Sequence, residues 1–121
     1  MKNKLPMMSI SLKKSCIRIH KETLHMIGNP PEIYLLVNPE EKALVIFHGK
    51  SYNVQPLKVA KYMNLIDKSV EFYSTPLVRK LNELCPEWKN DESYKFYGDI
   101  FPQEKIVRFD MSKGEIIARQ E

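Results

Sequence analysis

Apolar and polar residues alternate through much of the chain with a period of two, the signature of strands buried on one face. Residues 9–12 place Ile10 and Leu12 on one side, and after Lys13-Lys14-Ser15 the alternation resumes with Ile17 and Ile19. This predicts two short strands meeting at a basic turn, or one strand with a bulge there. Residues 32–37 and 43–47 are rich in strand formers and flank Asn38-Pro39-Glu40-Glu41, which predicts a hairpin. Further strands are expected over 70–73, 94–97 and 106–109, with short ones at 52–54 and 116–117.

Helical signals are fewer. Leu24 and Ile27 lie three apart before Gly28-Asn29-Pro30-Pro31, which predicts a two-turn helix over 22–27 ended by a left-handed Gly28. Val59, Tyr62, Met63 and Ile66 fall at helical spacing and suggest a connecting helix over 58–67. Ser74-Thr75-Pro76 reads as an N-cap and a first-turn proline, opening an amphipathic helix through Leu77, Leu81 and Leu84 that Pro86 ends.

The order strand, short helix, strand, acidic turn, strand occurs twice. Pro39-Glu40-Glu41-Lys42 and Pro102-Gln103-Glu104-Lys105 are 63 residues apart, and the strands preceding the two helices are 54 apart. The expected fold class is α+β: a small β-barrel of two pseudo-repeated β-α-β-β units, swapped-hairpin or cradle-loop-like. Residues 1–8 form a flexible arm, and 9–121 a single domain made of units 9–47 and 70–110 joined by a 48–69 connector.

A length of 121 residues fits one domain, and 43% apolar with 28% charged residues is ordinary globular usage. No apolar run approaches the ~18–20 residues of a membrane span, and the N-terminal segment lacks an apolar signal core. With only Cys16 and Cys85, expected as free thiols, the composition points to the cytoplasm.

Charge is unevenly placed. The net +4 falls in the first 50 residues, where Lys2, Lys4, Lys13, Lys14, Arg18 and Lys21 all precede the first acid, Glu22. A segment of one sign lowers the cost of approaching a polyanion. Catalytic signatures are missing. No phosphate-cradling glycine motif occurs, and His20, His25 and His48 lack metal-ligand spacing. Glu71, Asp99 and Asp110 show no pairing suited to acid–base work, and Tyr94, Phe96, Tyr97 and Phe101 alternate as core residues do, although a base-stacking platform is the other use of such rings. No enzyme, cofactor or metal is expected.

The first unit resembles the swapped-hairpin barrel domain of the AbrB/SpoVT/MazE family of small bacterial DNA-binding proteins. The resemblance lies in Ile17-Arg18-Ile19, Lys21-Glu22, Leu24, Ile27-Gly28, residues 33–38, Glu41 and Leu44-Val45-Ile46. The glycine that the family carries before its arginine strand is Ser15 or Cys16 here, and the proline opening its helix is His20. The resemblance implies a transcriptional regulator or antitoxin-type factor that binds double-stranded DNA through Lys13, Lys14 and Arg18, with Lys21 flanking. Lys2, Lys4, Lys50, Lys58 and Lys61 would add backbone attraction. It also implies intertwined units, as a single-chain pseudo-dimer or as a homodimer. The competing expectation is a module or inhibitor that occludes a protein partner through a surface near Trp88 and residues 94–101.

Overall fold

A computed structural model describes residues 5–49 and 55–117. The expected strand at 52–54, and Lys2, Lys4 and Lys50, lie outside the described residues. The elements run β1 (Met7–Ser11), β2 (Cys16–Ile19), α1 (Lys21–Met26), β3 (Glu32–Asn38), β4 (Ala43–Phe47), β5 (Leu57–Lys58), α2 (Val59–Tyr62), β6 (Val70–Tyr73), α3 (Thr75–Leu84), β7 (Ser93–Phe101), β8 (Ile106–Asp110) and β9 (Glu115–Ile116). A 3-10 turn, Met111–Lys113, separates the last two strands.

Local chemistry explains most boundaries. Ile17 and Ile19 in β2, and Val70 and Phe72 in β6, are buried while their neighbours face outward, as a period of two requires. Gly28 follows α1 at φ +89°. Ser74 caps α3, its Oγ accepting from the Leu77 amide at 3.3 Å, with proline in the first turn.

Three expectations need correction. β1 begins at Met7, so the residues before Ser9 are not all arm; Met8 and Ile10 form the buried pair, and Leu12 is only half-buried. The Pro6 carbonyl accepts from the Gly98 amide at 2.9 Å, which holds this start in place. The connecting helix is a single turn, because the Asn64 side chain accepts from the Ile66 amide at 2.8 Å and folds the chain back. β7 does not end at Tyr97. Gly98, with no side chain, lets the strand run on beneath Phe109 as far as Phe101.

The molecule is a small, mostly-sheet domain with few helices. All ladders are antiparallel, in the order β5-β3-β4-β8-β7-β1-β2-β6, with β9 beside β7. The sheet curls like part of a barrel. Residues 57–63 connect its outer strands, since Leu57 pairs with Ile33 of β3 and Met63 bridges to Val70 of β6. Met8, Ile10, Ile17, Ile46, Phe96 and Phe109 fill the concave side.

The two hairpins pair at a common spacing. Asn38 pairs with Ala43 in one hairpin and Phe101 with Ile106 in the other, 63 residues on. Lys42 and Lys105 close the two turns in the left-handed region, at φ 51° and 58°. Between the hairpins, Val45 pairs with Arg108, the residue 63 positions on. β2 and β6 meet with Cys16 opposite Tyr73 and Ile19 opposite Val70. Ile33 pairs with Leu57 as Phe96, 63 residues later, pairs with Met8.

Candidate nucleic-acid interface

The basic turn between β1 and β2 spans residues 12–15. Ser15 occupies the left-handed region at φ 53°, and Ser11 Oγ accepts from the Lys14 amide at 3.2 Å. Two longer-range bonds hold the turn from below. The Leu12 amide donates to the Glu92 carbonyl at 3.1 Å, and the Ser74 amide at the start of α3 donates to the Ser15 carbonyl at 2.9 Å. Lys13 and Lys14 are both exposed on this braced tip. Arg79 of α3 lines a hollow of about 240 Å³ with Leu12 and Ser15, which brings a third cation to the same end of the molecule. Neither the sequence pattern nor the family resemblance pointed to Arg79. Its only signal was an outward position on an amphipathic helix.

Arg18 is differently placed. Its Nε donates to Ser69 Oγ at 3.1 Å, its guanidinium pairs with Asp67, and Glu71 lies across the ladder at 3.6 Å. Two carboxylates therefore share one guanidinium, and Arg18 presents no surplus positive charge. These partners were not legible in the sequence, because the β2–β6 register decides them. A groove of about 240 Å³ has Lys14, Arg18, Glu71 and Tyr73 among its lining residues, with the small side chains of Ser9 and Ser11. Lys21, exposed at the start of α1, sits beyond the opposite end of β2 from the lysine turn. Lys58 is on β5 opposite Glu32, and Lys61 on α2 places its Nζ 5.5 Å from the Tyr62 ring centroid. Of the described residues expected to meet DNA, Lys13 and Lys14 form one group, Arg18 is compensated, and Lys21, Lys58 and Lys61 are scattered.

Burial, followed by the nearby Glu71 charge, pushes the Cys16 thiol above its ordinary pKa, which keeps it protonated and a poor nucleophile. Burial likewise raises the Cys85 thiol and lowers His20 below the ordinary histidine value. Among the described residues no group of three or more His, Cys, Asp or Glu is placed to hold a metal ion, and no helix is long and apolar enough to cross a membrane.

The aromatic residues of the second half divide. Tyr94 and Phe96 are buried, and Trp88 stacks on Tyr94 at 5.5 Å and tilts against Phe96 at 5.6 Å. Tyr97 and Phe101, which alternation placed in the core, are instead exposed, because they sit on the convex face of β7. Trp88 thus belongs to the core, and of the surface expected to meet a protein partner Tyr97 and Phe101 are the exposed rings. Comparison with protein-family models, with curated proteins and with solved structures finds no match to the chain.

Proposed function

We propose that this chain is a small, non-enzymatic DNA-binding protein, a regulator or antitoxin-type factor in the manner of the AbrB family, whose first contact is the Lys13–Lys14 turn. The observation that carries the proposal is that turn itself: two exposed lysines on a tip fixed by two backbone–backbone bonds and one to the Ser11 hydroxyl, with Arg79 beside it. A rigid cationic tip loses little freedom on meeting a phosphate, and counterions released from the duplex supply the driving force. Because β7 and β6 flank β1 and β2, the tip projects while the strands do not. The contact therefore suits the phosphate backbone better than base edges in the major groove.

The matched registers of the two halves support a fused and diverged pair of swapped units. On that reading β1 joins the second hairpin through β7, and β5, from the segment between the units, joins the first through β3. On that correspondence the turn before β6 is the counterpart of the turn before β2, and only the latter carries adjacent lysines.

Fluorescence anisotropy on a labelled duplex across a salt series tests the proposal. Three phosphate contacts give a log–log slope of about −2.7, and Lys13→Ala/Lys14→Ala flattens it by about 1.8. Arg18→Ala, removing a compensated charge, changes the slope less than either lysine does. No binding at low salt, or an unchanged slope in the double variant, overturns it.

A further inference from the structure

The loop before β6, residues 64–68, adds no side chain to the core, and its Leu65 and Ile66 lie in water. It is nonetheless tightly bonded. Asn64 Oδ1 accepts from the Ile66 and Asp67 amides at 2.8 and 3.4 Å, and the Lys68 amide donates to the Asn64 carbonyl at 2.9 Å. What so closely bonded a loop delivers is the group it positions, the Asp67 carboxylate. One oxygen, Oδ1, accepts from the Ser69 amide at 3.0 Å and from Ser69 Oγ at 2.7 Å, while Oδ2 meets the Arg18 guanidinium.

Arg18 is enclosed by these groups. Its Nε donates to the buried Ser69 at 3.1 Å, and Glu71 stands directly opposite it on β6. Hydrogen bonds between ionised partners are the strong ones, and a carboxylate already fixed by two donors gives up little freedom in accepting another. Yet Arg18 shares a groove with Lys14 of the lysine turn, and Glu71 lines that groove too. Their fields overlap on this face: beyond the effect of burial, the Cys16 thiol is raised by Glu71 and lowered by Lys14 and Arg18.

Resting on the DNA-binding reading above, we propose that Asp67 and Glu71 autoinhibit the interface: they occupy Arg18 as phosphates would and hold it out of the contact that Lys13 and Lys14 begin. Carboxylate and phosphate offer a guanidinium the same kind of oxygen pair, so each can replace the other. A phosphate backbone following the groove from Lys14 therefore has to displace Asp67 from Arg18, and the displaced carboxylates then repel it. The DNA contact is thereby smaller than the cations of this face allow. Neutralising the two acids adds Arg18 to the contact without adding a cation.

Asp67→Asn/Glu71→Gln is the test, read by anisotropy on the labelled duplex. Both substitutions keep the shape of the side chain, and the first keeps the oxygen that accepts from Ser69, so the loop persists. The salt slope is expected to steepen by about 0.9, with binding about tenfold tighter at about 50 mM salt, because one more phosphate is neutralised. Arg18→Ala in that background should abolish both changes. Asp99→Asn/Glu104→Gln removes two exposed acids from the β7–β8 hairpin, controls for net charge and should leave the slope near wild type. A neutralised variant that binds as the wild-type chain does, that only matches the control pair, or whose gain survives Arg18→Ala overturns the proposal. If the wild-type chain fails to bind at low salt, the lysine-turn reading falls. Binding by the neutralised variant alone then still supports the inhibition, and binding by neither overturns it as well.

Discussion

Gly98→Ala tests how tightly the two hairpins pack. A Cβ built at Gly98 lies 2.9 Å from Phe109 Cε1, 2.9 Å from Val107 Cγ1 and 3.0 Å from the Arg108 carbonyl oxygen. Gly98 is outside the left-handed region, so alanine meets no backbone strain and even gains about 0.5–1 kcal/mol from a less flexible unfolded chain. Against this, inserting a methyl into a filled core costs about 1–3 kcal/mol. One of the three contacts is backbone and cannot swing aside, which places the cost in the upper part of that range. The net loss is about 2 kcal/mol, a fall in melting temperature of about 6–10 °C for a chain of this size. In the other hairpin Leu35 pairs with Ile46, whereas here Gly98 pairs with Phe109, so glycine makes room for the larger ring. Phe109→Leu alone destabilises, yet in that background Gly98→Ala should cost about 1 kcal/mol less, since one of its three contacts is gone. Thermal unfolding of the four proteins, followed by circular dichroism, measures the cycle. A neutral or stabilising Gly98→Ala would refute the packing argument, and strict additivity would remove Phe109 from it.

Ser74→Ala removes the α3 cap and should cost about 1 kcal/mol in urea unfolding, with the backbone bond from the Ser74 amide to the Ser15 carbonyl intact. His20 is held below the ordinary histidine pKa by burial and then by Arg18, so protonation favours the unfolded chain. Stability is therefore full above the unfolded histidine pKa of about 6.5 and declines as pH falls toward the lowered folded value. His20→Gln should flatten the change in urea midpoint over that interval. The flattened salt slope of the Lys13/Lys14 variant completes the set.

Local signals carried most of the secondary structure. Ile17 with Ile19, Val70 with Phe72, the Ser74 cap and Gly28 all act within a few residues, so their consequences were visible in the chain itself. Non-local partners decided the rest. Nothing near Arg18 announces Asp67 or Glu71, because β2 meets β6 only after the sheet has formed. The helical spacing of Val59, Tyr62, Met63 and Ile66 was real, but the Asn64 side chain offered the backbone a competing set of bonds and won. The strand expected over 94–97 runs on through Gly98, and only the Phe109 ring above it explains a glycine inside a strand. At the candidate interface, the lysine turn was legible as charge between two strands. Arg79 was not, since its position depends on α3 docking beside residues 12–15.

The placement of β1 bears on how the chain acquires its shape during synthesis. Met7 pairs with Tyr97, so a ribosome adding about 5–20 residues per second emits the N-terminal strand roughly 5–18 s before its partner exists. Through that interval β1 has only β2 to bind, and β4 shows a bare flank where β8 will later lie. Nascent chains in neighbouring polysomes could pair along those flanks instead. Slower growth at low temperature, which lowers the concentration of such half-made sheets, should raise the soluble yield.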